Sequence, residues 1–383
     1  MNYNSYMKSN HVVKKKRVGI DCRMINESGI GRYISNIVTE ISKKDTDIDF
    51  YLFFFNVDDS LKYKLPQNFK IVQAPFLWHS VSEQTLFLQV INSYRLDLFH
   101  SPHPNMPYLY FGKFILTLHD LTMLKHKTGR ASTYAYPLYF LKWLVFKISL
   151  SWSVKRAEKI VTVSEYVKKQ IIETFGISSD KVVVIYNGVS DSIYKETNRD
   201  KNTKILEKFD IKKNFFFYVG NAYPHKNLEN LILAFELFNK KQDYELVLAG
   251  KEDFFYKRLK KEYGKVSNIK FLGACTDEDL RTLYSTCESF VYPSISEGFG
   301  IQIIESLKCG AKLICSGNTV FPEIAGKFAL YFDPLSISDI SEKITRITEI
   351  SKKEFFDLFD EAYLDKFSWN ISAQKHYELY EKN

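Results

Sequence analysis

Residues 289–310 read S-F-V-Y-P-S-I-S-E-G-F-G-I-Q-I-I-E-S-L-K-C-G. Ser289–Tyr292 has the composition of a short buried strand, and Pro293 ends it. A loop bracketed by Gly298 and Gly300 follows, then the run IQIIESLK, which has helical spacing and stops at Gly310. The next apolar run, Lys312–Cys315, begins two residues later. Strand, glycine loop, helix and strand in that order are the alternation expected of a parallel sheet covered by helices.

The same alternation extends outward. Phe215–Val219, Glu245–Ala249 and Ile269–Leu272 precede this unit as short apolar strands. Further upstream, Val18–Cys22, Tyr51–Phe55, Lys70–Val72, Leu98–His100, Phe114–Leu118, Ile160–Val163 and Val182–Ile185 form a second series. Helical patterns lie between several of these, notably Gly31–Ser42, Val81–Ser93 and Val167–Phe175. Apolar strands separated by helices predict a parallel sheet covered on both faces, and two such series predict two doubly wound, Rossmann-like α/β domains. Residues 191–214 are polar and lack apolar periodicity, so they are expected to join domain 1–190 to domain 215–366. Residues 367–383 read as an amphipathic helix that could pack back on the first domain. Ligands of such folds bind in crevices at the C-terminal ends of the strands.

The chain has 383 residues, 45% hydrophobic and 26% charged, the balance of a globular protein with room for two cores. Its 31 Phe and 25 Tyr are expected mainly in those cores. The five cysteines are odd in number, scattered and free of C-x-x-C, which argues against a disulfide framework or a structural zinc site and for a reducing compartment. The basic N-terminus is followed by no sustained apolar run, so no signal peptide is expected. Nor does any stretch reach the roughly 18 uncharged apolar residues of a spanning helix. The net charge of +8 is uneven, with roughly +9 in residues 1–200 and roughly −1 in the rest. No nucleic-acid motif accompanies it, so no nucleic-acid partner is expected. The alternatives are a solvated basic face and a surface that meets anionic lipid or a phosphate-linked acceptor.

Four stations carry chemistry. Glu27–Arg32, E-S-G-I-G-R, lies between the first strand and first helix, where glycines let backbone amides approach an anion. A dinucleotide fingerprint starting at Gly29 would need a third glycine at position 34, which is Ile34, so a dehydrogenase is disfavoured. His119-Asp120 follows the strand FILTL. The imidazole could donate to a sugar hydroxyl, or Asp120 could simply cap a helix. Gly220–Asn227, G-N-A-Y-P-H-K-N, sets Lys226 near a helix start, as a diphosphate site requires. The opening stretch places amides of Gly298–Ile301 at a helix N-terminus, an anion site, with Glu297 in the loop and Glu305 on the helix. A carboxylate at Glu305, within an apolar run, needs a partner if buried. Asp45-Thr46-Asp47 is a D-x-D without a leading strand, and is read as a solvated turn; no metal site is expected.

These stations, together with VVVIYNGV (residues 182–189), IVTVSEYVKKQI (160–171) and FSW (367–369), resemble family 4 of the retaining glycosyltransferases, whose two-domain fold is called GT-B. The likeness runs from about Val18 to Tyr380. GIGRYISNI, HDLTMLKHK, YVGNAYPHKNLENLI and EIAGKFALYFDP resemble bacterial mannosyltransferases of surface-polysaccharide assembly in particular. The resemblance implies a nucleotide-sugar donor, with GDP-mannose favoured over UDP- or dTDP-sugars, and a glycan acceptor that is lipid-linked. It implies that Gly31 approaches the donor diphosphate, with Arg32 and Asp120 on the acceptor side. His119 would contact the transferred sugar, Lys226 the diphosphate and Glu305 the ribose. Glu297 would touch sugar hydroxyls, aided by the amides of Gly298, Phe299, Gly300 and Ile301. Many members carry arginine where this chain has Asn221, so one diphosphate cation is missing or comes from elsewhere, Arg32 being one source. A non-catalytic nucleotide-sugar-binding protein of the same fold is the rival reading. Transfer without a cofactor or metal is expected, at a cytoplasmic site that is peripheral to an anionic membrane. The helix-like stretch Thr133–Val154, apolar but interrupted by Lys142 and Lys147, could lie at that surface or be partly buried.

Overall fold

A computed structural model describes residues 15–125, 136–240, 242–357 and 362–383. Residues 1–14, which include Lys8 and Lys14 of the basic N-terminus, and residues 133–135 of the lysine-interrupted stretch lie outside that description. Thirteen strands are described. They are β1 Arg17–Asp21, β2 Asp49–Phe54, β3 Phe69–Gln73, β4 Leu98–Ser101, β5 Phe114–Leu118, β6 Lys159–Thr162, β7 Val182–Val184, β8 Phe215–Val219, β9 Glu245–Ala249, β10 Ile269–Gly273, β11 Ser289–Tyr292, β12 Leu313–Ser316 and β13 Leu330–Phe332. They form a seven-stranded sheet of order β3-β2-β1-β4-β5-β6-β7 and a six-stranded sheet of order β10-β9-β8-β11-β12-β13. Pairing is parallel at β1–β2, β1–β4, β8–β9, β11–β8 and β11–β12, the doubly wound α/β architecture predicted from the strand–helix alternation.

The chain divides into two compact units, Met1–Thr117 with Tyr377–Asn383, and Leu118–His376, so β6 and β7 fall in the second unit. In the first unit the aromatic surplus is core. Phe53 meets Phe87 and Phe99 edge-on, with ring centroids 5.9 and 5.7 Å apart. The end of the C-terminal helix, Trp369–Lys382, belongs with this core. The Tyr380 ring lies 6.1 Å from Phe50, and its hydroxyl is 2.6 Å from His100 Nδ1. Arg23, just after β1, is a buried ionic hub. Its guanidinium donates to Asp21 at 2.7 and 2.9 Å, to Glu83 at 2.7 Å and to the Phe76 carbonyl at 2.9 Å. Burial pushes the Asp21 carboxyl up, but Arg23 and His103 outweigh it and hold it well below the usual carboxylate range. This network fixes the turn that leads into helix Ser28–Ser42.

Three details depart from the sequence expectation. β13 is a sixth strand in the second sheet that periodicity does not reveal, because it is three residues long and only Phe332 is buried. The polar join 191–214 carries a helix, Arg199–Lys208, started by the Asn198 side chain accepting from Lys201 N–H at 3.1 Å; it buries no residue, which is why it lacks an apolar stripe. The expected helix Val81–Ser93 is a π-turn, Glu83–Phe87, running into an α-helix, Leu88–Ser93, with buried Glu83 in the wide turn held by Arg23. All five cysteines are free thiols.

Candidate active site

β11 ends at Tyr292, and the chain turns through Pro293–Gly300 into helix Ile301–Lys308. Gly300, at φ +79°, is the N-cap of that helix, so no side chain there covers the first amides. Gly298 is forced to be glycine by a close approach. A Cβ there would stand 1.8 Å from the His119 carbonyl oxygen and 3.0 Å from Asp120 Cβ. The loop is therefore seated on the segment that follows β5, and Ser296 Oγ lies 3.4 Å from Thr122 Oγ1 across the same contact. His119 and Gly298, singled out independently in the sequence, are neighbours.

Lys226 ends the short turn Pro224–Lys226 and is buried, with 8% exposure. Its ammonium is paired with Glu297, whose side chain is 14% exposed. The Tyr292 hydroxyl donates to the same Glu297 oxygen at 3.1 Å, and the loops are tied by Ile295 N–H donating to the His225 carbonyl at 2.7 Å. Burial pushes the Glu297 carboxyl up; the Lys226 charge and hydrogen bond, with His225 behind them, pull it below its ordinary value, so it is ionised at neutral pH. An ammonium has three donors, and Glu297 takes one of them. A buried cation that keeps donor capacity, paired with the residue that precedes the amides of Gly298–Ile301, is a ready counter-charge for a second anion.

Glu305 is buried, 1% exposed, one turn into the helix, and accepts from the Tyr284 hydroxyl at 3.2 Å. Tyr284 thus supplies a partner for the carboxylate that the apolar run demanded. Phe299 is buried against Tyr186 and Phe367, with centroids 6.2 and 5.8 Å away. Asn221 is shaped by its own turn, its carbonyl accepting from Tyr218 Oη at 2.8 Å. Asp120 is exposed and accepts from Thr122 N–H at 2.7 Å, the local capping geometry that was the alternative to a chemical role. Gly31 and Arg32 lie in helix Ser28–Ser42 of the first unit, where a Cβ on Gly31 would stand 2.3 Å from the Ile25 carbonyl oxygen. Closure of that turn is itself a sufficient reason for the glycine. Asp45 and Asp47 sit exposed between a helix and β2. Among the described residues no cluster of three or more His, Cys, Asp or Glu side chains could hold a metal ion.

Comparison with known proteins agrees with this architecture. A model described as Glycosyltransferase Family 4 matches residues 28–192, and one described as Glycosyl transferases group 1 matches residues 198–355. The O-antigen chain mannosyltransferase B of Escherichia coli is 30% identical over 294 residues, 74% of each chain. The O-antigen chain mannosyltransferase RfbU of Salmonella typhimurium is 29% identical over 263 residues, 68% of this chain and 67% of that one. Among solved structures, a glycosyltransferase from Rickettsia africae superposes with a TM-score of 0.73 at 19% identity, covering 96% of this chain and 98% of its own. Anabaena HepE, solved in complex with UDP and glucose, superposes with a TM-score of 0.73 at 16% identity, covering 97% and 100%. With the glycine loop, the buried Lys226–Glu297 pair and the two parallel sheets in place, the chain belongs to glycosyltransferase family 4 and has the GT-B fold.

Proposed function

We propose that this glycosyltransferase moves a mannosyl residue from GDP-mannose to a growing, lipid-linked surface polysaccharide, with retention at the anomeric carbon and without a metal. The observation that carries the reading is the buried Lys226–Glu297 pair beside the helix amides after Gly298. The names of the E. coli and Salmonella relatives support mannose and a polysaccharide acceptor. In this scheme the donor diphosphate lies against Lys226 and the amides of Gly298–Ile301, which stabilise the charge it gains on leaving. The acceptor oxygen bonds to the anomeric carbon on the face from which the phosphate departs, and its proton passes to the leaving phosphate oxygen. Glu297 and His119 hold sugar hydroxyls, and Glu305 accepts from the ribose. The test incubates purified protein with GDP-mannose, UDP-glucose, UDP-N-acetylglucosamine and dTDP-rhamnose, with and without EDTA. GDP release from GDP-mannose in both conditions supports the proposal. UDP or dTDP release with GDP-mannose untouched moves the donor, loss of activity in EDTA brings in a metal, and no release from any donor leaves a binding protein.

For Glu305, Glu305→Ala should raise the donor KM and cut kcat/KM about 30- to 150-fold, equivalent to about 2–3 kcal/mol from the loss of charge-assisted hydrogen bonds. Steady-state kinetics on the donor check this, and wild-type values would remove the ribose role.

Peripheral membrane contact is the second part of the proposal. No helix among the described residues is long and apolar enough to cross a membrane. Helix Tyr136–Arg156 exposes Val145 and Ile148, and sets Lys147 over Trp143 at 5.4 Å and Arg156 over Trp152 at 4.6 Å, a mixture suited to a lipid interface. Its Leu150 and Val154 are buried, so the helix serves the core as well. Vesicles containing phosphatidylglycerol should sediment the protein at low salt and release it at high salt, at about 1 kcal/mol per well-placed cation. Protein that stays in the supernatant throughout would end the docking proposal and leave the transfer reaction standing.

A further inference from the structure

Helix Glu165–Phe175, which follows β6, begins at Ser164, an N-cap with φ −159° and ψ 157° whose Oγ accepts from Val167 N–H at 3.2 Å. The same hydroxyl donates to the Gly298 carbonyl at 2.8 Å, and Ser164 is fully buried. One hydroxyl therefore joins the start of this helix to the glycine of the donor loop. The other two N–H groups of the first turn are taken by a residue 158 positions away. Glu323, on the short helix Phe321–Ala325, accepts from Glu165 N–H at 2.8 Å through one carboxylate oxygen and from Tyr166 N–H at 2.9 Å through the other. Its first oxygen also accepts from the Tyr186 hydroxyl at 3.0 Å. Burial, followed by the Glu323 charge, raises the Tyr186 phenol, so it stays protonated and remains a donor. Tyr186 in turn packs against Phe299 and, at 5.5 Å, Phe367. A carboxylate at the positive end of a helix, accepting two of its orphan amides, is a strong cap.

We propose that Glu323 is a positioning residue for glycosyl transfer: by capping the helix that starts at Ser164, it holds the Ser164 hydroxyl on the Gly298 carbonyl and so fixes where the amides of Gly298–Ile301 point. The inference rests on the reading of those amides as the diphosphate site. Glu323 touches neither donor nor acceptor in this scheme. A transition-state contact of this kind depends on placement, so its effect falls on the rate of transfer as well as on fold stability. Both oxygens of Glu323 are in use, so Glu323→Gln, although the same size, turns an amide NH2 toward an N–H group and breaks one arm of the cap.

The test uses the full chain with Glu323→Gln, Ser164→Ala and the two combined. It follows kcat and KM for the sugar nucleotide the wild type turns over, melting temperature, and hydrogen exchange at residues 164–168 and 298–301. Glu323→Gln and Ser164→Ala should each lower kcat/KM about tenfold, and exchange at Gly298–Ile301 should rise by a similar factor. Because both act through one link, the double variant should match the worse single variant rather than the product of the two. A lower melting temperature with faster exchange at Glu165–Val167 alone, while kcat/KM and the Gly298–Ile301 amides keep wild-type values, would make Glu323 a structural cap only and overturn the proposal. Independent, multiplying effects would overturn it too. If Glu323→Gln loosens the Gly298–Ile301 amides but the wild type turns over no sugar nucleotide, the link through Ser164 holds and the donor reading fails.

Discussion

Lys226→Ala should lower kcat about 100- to 1000-fold, the loss that follows removal of one group aimed at developing charge, about 3–4 kcal/mol. The donor KM should move far less, because leaving-group charge grows toward the transition state and is small in the bound substrate. The structure adds a complication that sequence alone does not show. Lys226 is the cation of a buried pair, so its removal strands the Glu297 carboxylate, a loss of about 3–5 kcal/mol of fold stability for a buried pair broken on one side. The combination Lys226→Ala with Glu297→Gln removes the stranded charge, and should recover melting temperature without recovering kcat. Steady-state kinetics and thermal melts on both variants check this. A kcat within threefold of wild type in the single variant would move the diphosphate cation to another residue.

Gly298→Ala should cut kcat/KM by about 100-fold or more, on the scale by which a misplacement of about 1 Å damages a preorganised site. The added methyl would meet the His119 carbonyl oxygen at 1.8 Å, and the obstacle is backbone, so no rotamer change relieves it. The loop must lift from His119 and take the amides at the start of helix Ile301–Lys308 with it. Gly29→Ala is the control. A Cβ there has no heavy atom within 4 Å, so activity should stay close to wild type. Kinetics and near-ultraviolet circular dichroism on the two variants separate a local displacement from general unfolding. A Gly298→Ala enzyme with full activity would show that the seat on His119 does not set the site's geometry.

The regular part of this fold was readable because it follows from local rules. β8 is an uninterrupted apolar run, and β9 and β11 are apolar after a polar first residue, the composition expected of parallel strands buried on both faces. The glycine loop is legible for the same reason, since the positive φ of Gly300 and the close seat of Gly298 are properties of the backbone. What escaped was set by partners remote in sequence. Nothing near Glu305 announces that Tyr284 donates to it, and nothing near Lys226 announces Glu297, 71 residues on. Glu323 stands in EIAGKFALYFDP, where the residues around it resemble the family, yet its carboxylate serves a helix that begins at Glu165. Arg32 stands beside glycines, as a ligand-binding arginine would, whereas Arg23 has no such local signal. The buried Asp21–Arg23–Glu83 network needs two segments 60 residues apart brought together before it can be seen.

If the proposed reaction holds, a sugar–diphosphate bond breaks against the chain's own backbone amides and Lys226, and the new bond forms on the same face. The direct measurement incubates the purified chain with GDP-mannose and a lipid-linked mannoside acceptor in EDTA, then reads the configuration of the new linkage by the one-bond carbon–proton coupling at its anomeric carbon. The expected result is GDP release matched by an α-linked product, the configuration of the donor. A β-linked product, or GDP-mannose recovered unchanged, would contradict it.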